Sequence, residues 1–216
     1  MKTLAWGILL LILVGIGGVV YRNAVEHPTQ PIACPLDAKI CPDGASVGRT
    51  GLSCTFPACP PPNVALEGLG IAFAVPAGFT SEPVPPGDQS LAAAYSLSPA
   101  ASSTVEITIH RYAVAASSTP LATIQETAIG GASGAPVSPT SFTSATFGAH
   151  RFTAVSIERF EGVVDTAYYL ARGTDVLRFD AIDRGVAGWT DPGLEVSLLP
   201  AHAALAKLLA TLQSTS

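Results

Sequence analysis

Residues 150–182, HRFTAVSIERFEGVVDTAYYLARGTDVLRFDAI, decide the fold. The stretch contains three runs rich in β-branched and aromatic residues, the composition that favours strands. The runs lie at about 150–159, 163–171 and 175–182. Glu161-Gly162 and Arg172-Gly173-Thr174 separate them, and short glycine-containing connections between such runs are typical of hairpins. The stretch therefore predicts three consecutive antiparallel strands.

A period of two continues on the N-terminal side of this stretch. In residues 105–109, apolar side chains alternate with polar ones, which predicts a half-buried strand. The same alternation predicts strands at 91–97 and at 69–75, the latter stopping at Pro76. These segments add further strands to an antiparallel sheet.

Two helices are predicted beside the strands. Thr119 followed by Pro120 is an N-cap and a first-turn proline, the usual start of a helix. Pro200 begins a final helix in which leucines recur every three to four residues, an amphipathic pattern. These leucines are Leu205, Leu208, Leu209 and Leu212. We therefore expect an α+β fold in which helices pack on one face of the sheet.

The N-terminal segment is long and apolar. Residues 4–21, LAWGILLLILVGIGGVVY, carry no charge and would cover about 27 Å as a helix, close to the ~30 Å core of a bilayer. This predicts a transmembrane anchor within residues 1–23 that contacts lipid through residues 4–21. The alternative is a cleaved signal peptide, whose apolar region is usually about 7–15 residues long and ends at a small-x-small site.

All four cysteines lie in one segment rich in proline and glycine. They are Cys34, Cys41, Cys54 and Cys59. A segment this short cannot build a core of its own, and disulfides persist outside the reducing cytosol. The cysteines therefore predict two disulfides on the extracytoplasmic side, with the pairing left open. A zinc site is the alternative, but of the gaps of six, twelve and four residues only the last fits a zinc knuckle.

The segment CPLDAKICPDGASVGRTGLSCTFPACP, residues 34–60, resembles a cysteine-rich motif that follows an N-terminal anchor in uncharacterised envelope proteins of candidate-phylum bacteria. Leu52 and Thr55 depart from its usual pattern. The resemblance implies an envelope location and an architecture, but it implies no activity.

Residues 68–79, GLGIAFAVPAGF, are similar to the opening strand of the PsbP-like family, and the predicted strands and the closing helix follow in that family's order. The resemblance implies a PsbP-like sandwich over residues 64–216, preceded by a cysteine-rich module and linker over residues 24–63. The segment Thr211-Leu212-Gln213 departs from the family's ending. No metal-binding or catalytic residue of the family maps onto this chain.

The charge argues against nucleic acid as a partner. The chain has 11 basic and 16 acidic residues, a net charge of −5, and it lacks the clusters of Lys and Arg that bind phosphate backbones. The sequence also lacks nucleophile-elbow and phosphate-loop motifs. Its histidines, at positions 27, 110, 150 and 202, are more than four residues apart. We therefore predict no metal and no cofactor.

Two dipeptides remain as a candidate site. His110-Arg111 and His150-Arg151 would form a small anion-binding patch if their strands pair. The acidic residues Glu158, Glu161 and Asp165 surround one predicted turn, and acids at turns are typically solvated.

These observations favour a binding or structural domain without catalytic activity. We expect a single-pass membrane protein whose C-terminal part is extracytoplasmic and whose partner is another envelope protein. Two alternatives stay open. One is an enzyme whose site is assembled from residues far apart in sequence, and the other is a carrier of a small ligand or ion, which would need a cavity between sheet and helices.

Overall fold

The structure is a computed structural model that describes residues 2–26, 33–42, 46–97 and 105–215. Contacts divide the chain into two units. The first is Met1–Lys39 with Val47–Pro57, and the second is Ile40–Ser46 with Ala58–Ser216. The domain boundaries predicted after residues 23 and 63 stay predictions.

The N-terminal segment forms helix α1, Lys2–Glu26. Among the residues that the structure describes, no helix combines the length and the apolar character needed to cross a membrane. The predicted transmembrane helix is therefore wrong.

The cysteine-rich segment contains two short strands, β1 (Ala38–Ile40) and β2 (Ser46–Gly48), in a two-stranded sheet. The remaining strands form two further sheets. A three-stranded sheet has the order β12-β4-β3 and a seven-stranded sheet has the order β5-β6-β7-β11-β10-β9-β8. These strands are β3 Val64–Leu66, β4 Ile71–Phe73, β5 Phe79–Glu82, β6 Leu91–Leu97, β7 Val105–Ala113, β8 Thr143–Phe147, β9 His150–Phe160, β10 Val163–Ala171, β11 Asp175–Asp183 and β12 Gln213–Ser214.

The three strands predicted from residues 150–182 are confirmed as β9, β10 and β11, and they pair antiparallel. Glu161 and Gly162 both have positive φ, 48° and 80°. Two central residues with positive φ form the type I′ turn, whose twist matches that of the flanking strands. The turn chemistry of this short segment thus fixes the hairpin register.

The other predicted strands are confirmed, two of them with a change of length. Strand β6 has the predicted bounds and β7 runs four residues beyond the predicted end. The strand expected at 69–75 is limited to β4. A 3-10 turn at Glu67–Leu69 precedes it, and after it the amide of Ala74 donates to the Thr211 hydroxyl instead of to a strand.

The helices of the second unit are α2 (Pro120–Thr127) and α3 (Pro200–Ala210). Both begin at the predicted proline, and the Thr119 hydroxyl caps α2 by accepting from the amide of Ala122. In β11, Leu177 and Phe179 share a buried cluster with the leucines of α3. Val176, which points the other way, shares a second cluster with Ile124 of α2.

The two helices therefore cover opposite faces of the seven-stranded sheet, here named the α3 face and the α2 face. The prediction that helices pack on one face is wrong, because one strand carries buried apolar residues on both sides. The α+β class is wrong as well. The chain is mostly β, with 39% strand and 22% helix around a seven-stranded antiparallel sheet.

Candidate functional site

The two predicted disulfides are confirmed, and the pairing left open by the sequence is resolved. Cys34 bonds to Cys54 and Cys41 bonds to Cys59, with Cα–Cα distances of 5.3 and 5.6 Å. No cysteine of the chain is free. The zinc alternative is excluded because a cysteine binds zinc as a thiolate, and each of the four cysteine sulfurs is bonded to another sulfur.

Arg49 contacts several groups of the first unit beside the Cys34–Cys54 disulfide. Its guanidinium donates to both carboxylate oxygens of Asp37, at 2.7 and 2.9 Å, and to the carbonyl oxygen of Cys54 at 3.0 Å. It also lies 4.2 Å from the centre of the Phe56 ring. The hydrogen bonds from Arg49 lower the pKa of Asp37. The Arg49–Asp37 pair is solvent-exposed, so it adds only modestly to the stability of this segment.

The predicted anion patch required β7 and β9 to pair, and they do not, because β11 and β10 lie between them. The two dipeptides are therefore not brought together. The Arg111 guanidinium donates to Asp175 at 2.7 Å, and the Arg151 guanidinium donates to the Ser144 hydroxyl at 2.7 Å.

Neither histidine of the predicted patch faces a site for an anion. A ring nitrogen of His150 lies 3.1 Å from the carbonyl oxygen of Leu212. His110 lies 4.0 Å from the carboxylates of both Asp88 and Asp180, which repel an anion. Burial lowers the pKa of His110, although the charge of Asp180 opposes this change.

A buried network of charged and polar groups lies on the α2 face. Arg178 donates to Asp180 at 2.7 Å and to the carbonyl oxygen of Thr127 in α2 at 2.8 Å. The Thr108 hydroxyl donates to the same carboxylate at 3.3 Å. Burial alone would lower the pKa of Arg178, but Asp180, together with Tyr169 and Asp165, outweighs burial and raises that pKa. The guanidinium therefore ties α2 to the centre of the sheet.

Asp165 is the unusual member of this face. Its side chain was expected to be solvated at a turn, but the residue is only 8% exposed. Its Oδ1 atom has no hydrogen-bond partner among the residues that the structure describes. Burial raises its pKa well above the usual value, and the negative charge of Asp180 raises it further. Asp165 is therefore a neutral carboxyl group at pH values where a solvated aspartate is ionised.

On the opposite face, three side chains form one hydrogen-bonded chain. The Nδ1 atom of His202 lies 2.8 Å from Oδ2 of Asp183, and its Nε2 atom lies 2.9 Å from the Thr166 hydroxyl. Asp183 and His202 are buried, at 2% and 3% exposure. This is the geometry of an acid, a base and a hydroxyl arranged in sequence.

The same carboxylate also positions α3. Leu199, at the N-cap of α3, provides no capping side chain, and the Asp183 carboxylate instead accepts from the amide of Ala201 at 3.0 and 3.2 Å. A negative charge at a helix N-terminus is favourable because the first amides lack partners within the helix. The end of β11 therefore determines where α3 begins.

The sequence did not predict these hydrogen bonds because the three residues lie far apart along the polypeptide. His202 is 19 positions from Asp183 and 36 positions from Thr166. A motif search looks for fixed short spacings, and none links a strand residue to a helix two elements later. The proline that begins α3 gives the helix start, but it does not show which strand end faces it.

A groove lies along α3 beside β4 and β5. It has a volume of about 630 Å³, within the range of pockets that bind ligands. Prolines and alanines form most of its walls, with Asn63, Phe79 and Lys207 among the lining residues. A second cavity of about 360 Å³ lies where Gly131 approaches Glu158 and Phe160. In the described ranges, no group of three or more His, Cys, Asp or Glu side chains is placed to hold a metal ion.

Comparison with known proteins gives little further constraint. No family model matches the chain, and no curated protein matches it at a significant level. A crystal structure from Bacteroides thetaiotaomicron VPI-5482, at 1.50 Å resolution, is similar over 69% of this chain with 12% sequence identity and a TM-score of 0.42. The present chain covers 46% of that chain. A likeness of this degree supports no inference about function.

Proposed function

We propose that this protein is an extracytoplasmic binding or structural domain whose partner is another envelope protein. The observation that carries the proposal is the pair of disulfides, Cys34–Cys54 and Cys41–Cys59. A segment crosslinked in this way keeps its structure only where thiols are oxidised. The cysteine-rich motif of residues 34–60 supports the same location.

The groove along α3 supports the binding part of the proposal. Its walls are largely apolar, and Lys207 and Asn63 place polar groups among its lining residues. An apolar depression with a few polar groups is the usual form of a binding site. A short apolar segment of a partner protein fits this description, because the prolines offer rigid, preformed walls that cost little entropy to order.

The test is crosslinking capture of the tagged full chain from intact cells, with partners identified by mass spectrometry. Ala203 is half-buried and lines the groove, so Ala203→Arg fills the groove without breaking the helix. Ala206 is half-buried on the same helix but is not among the groove-lining residues, which makes Ala206→Arg the matched control. We expect one partner that the wild type and Ala206→Arg capture and Ala203→Arg loses. Equal capture by all three proteins would overturn the assignment of the groove.

A second candidate function, an enzyme assembled from distant residues, is favoured by one specific observation. This is the hydrogen-bonded chain from Asp183 through His202 to Thr166. For the other alternative, a carrier of a small ligand or ion, we identify no such group among the described residues.

A further inference from the structure

The chain Asp183–His202–Thr166 meets the geometric requirement for an activated hydroxyl. A nucleophile and its base must lie within about 2.6–3.2 Å of each other, and a third group must orient the base. The two distances here are 2.9 and 2.8 Å. Strands β10 and β11 and the first turn of α3 each supply one of the three residues, so the arrangement is held by three elements that pack together.

The hydrogen bonds assign the tautomer of His202 when its ring is neutral. Because the Asp183 carboxylate accepts from the amide of Ala201, its oxygens act as acceptors, and the Nδ1 atom of His202 must donate to it. In a neutral imidazole the Nε2 atom then carries no proton. It accepts the hydrogen bond from Thr166, which makes His202 a base for that hydroxyl.

The hydroxyl lies at a point where the sheet opens to solvent. Thr166 is half-buried, and Ser156, its neighbour directly across on β9, is exposed. The register of β9 against β10 shifts between Asp165 and Thr166. Such bulges redirect side chains and are frequent beside active sites. The exposed position of Ser156 gives a small substrate a side from which to approach Thr166, while His202 is buried.

We propose that Thr166 is an acyl-accepting nucleophile that is activated by His202 and Asp183, with carboxylic esters as its substrate class. The inference rests on the second candidate function above. An ester suits the site because its leaving group needs one proton, and His202 holds one proton after it has activated the hydroxyl.

The reaction proceeds in two balanced steps. Thr166 Oγ1 attacks the ester carbonyl carbon, its proton moves to His202 Nε2, the bond to the alcohol oxygen breaks, and the alcohol leaves with that proton. Water then attacks the acyl-threonine with His202 again as the base. The acid is released, the Thr166 hydroxyl is restored, and no oxidant or reductant is consumed.

The test uses the full chain with both disulfides formed and p-nitrophenyl acetate as the probe. Release of p-nitrophenolate is followed over a pH series, and peptide mass spectrometry locates the acetyl group. We expect acetylation at Thr166 and a loss of about a hundredfold in rate in Thr166→Ala, typical of losing an activated nucleophile and its base. Thr166→Ser should retain the reaction, and Ser156→Ala, the matched control for an exposed hydroxyl on the neighbouring strand, should leave it unchanged.

The pH series separates catalysis from a structural role. The wild-type rate should vary with pH more steeply than the rate of Thr166→Ala, whose remaining reaction involves no activated hydroxyl. Absence of an acetyl group at Thr166 in the folded wild type, or an equal rate in Thr166→Ala, would overturn the proposal. The hydrogen bonds among Asp183, His202 and Thr166 would then serve only to anchor α3. Capture of a partner through the α3 groove does not involve Thr166, so failure here leaves the proposed binding function standing.

Discussion

The two faces of the seven-stranded sheet are buried by different means. The α3 face is packed with apolar side chains such as Ile107, Phe179 and Leu205. The α2 face has an apolar cluster under α2, but beside it lie the paired charges of Arg178 and Asp180 and the buried carboxyl group of Asp165. Strand β11 supplies both faces: Phe179 lies in the apolar cluster of the α3 face, and its neighbours Arg178 and Asp180 form the ion pair of the α2 face.

Two faces that are equally buried can therefore contribute to stability in different ways. Apolar burial is favourable in proportion to area. In a buried ion pair, the attraction between the charges is largely cancelled by the free energy needed to remove them from water. Removing one partner is nevertheless strongly destabilising, because the other charge stays buried. The apolar cluster of the α3 face should therefore tolerate only changes that preserve volume, and the ion pair of the α2 face should tolerate only changes that preserve charge balance.

The largest expected effect comes from the α3 face. Phe179→Ala removes a fully buried ring and should lower the free energy of unfolding by about 3–5 kcal/mol, since a cavity is left behind. Urea denaturation measures the change. Phe160→Ala is the control, because that ring is 46% exposed. An equal loss in both variants would contradict the assignment of the core.

The next effect tests the charge balance of the α2 face. Arg178→Met leaves Asp180 buried without its partner and should cost about 3 kcal/mol. The double variant Arg178→Met with Asp180→Asn carries no uncompensated charge, so it should be more stable than the single variant. Urea denaturation of the single and double variants measures the difference in their free energies of unfolding. A double variant less stable than the single one would show that the pair itself, and not its balance, stabilises the face.

A smaller effect is expected where β11 meets α3. Asp183→Asn keeps an acceptor for the Ala201 amide but presents its own N–H groups toward His202, and it should cost about 2 kcal/mol. Glu195→Gln makes the same chemical change at an exposed position and should stay within about 0.5 kcal/mol of wild type. The midpoint of urea unfolding distinguishes them. No difference between the two variants would remove Asp183 as the anchor of α3.

The stability of the folded protein should also depend on pH, through Asp165 on the α2 face. The groups that act on Asp165 are Asp180 and Arg178 from β11, Glu158 from β9, and Arg184. Because its folded pKa is raised above 3.8, the folded chain keeps a proton that the unfolded chain has lost. Stability is therefore lost as pH rises from about 4 through the folded pKa.

Asp165→Asn should remove this loss, because the amide carries no charge at any of these pH values. The variant should match wild type near pH 4 and be more stable at neutral pH. Urea unfolding at a series of pH values measures both proteins. A variant that is less stable at neutral pH would show that Asp165 is ionised and paired in the folded chain.

The strands could be predicted from sequence because their signals are local. Glu161-Gly162 can form only a tight turn, and the runs on either side alternate as strands do, so β9, β10 and β11 were placed correctly. The prediction that both helices lie on one face of the sheet was wrong. Which face a helix covers depends on how the chain crosses the sheet, and the sequence of residues 120–127 does not indicate this for α2.

The candidate site was beyond sequence reasoning for a related reason. Asp165 follows a turn by three positions, which is typical of a solvated acid, and only the neighbouring strands bury it. Thr166, His202 and Asp183 meet through tertiary packing. The disulfides were predictable as a pair because four cysteines in one short segment have few other partners. Their pairing, however, required the path of the chain.

The proposed extracytoplasmic location can be tested most directly by counting thiols in the protein as cells make it. Cells are quenched in acid, free thiols are alkylated before and after reduction, and mass spectrometry of the full chain counts the modified cysteines. The account predicts no alkylation of Cys34, Cys41, Cys54 or Cys59 before reduction and alkylation of all of them afterwards. Alkylation of every cysteine before reduction would contradict it.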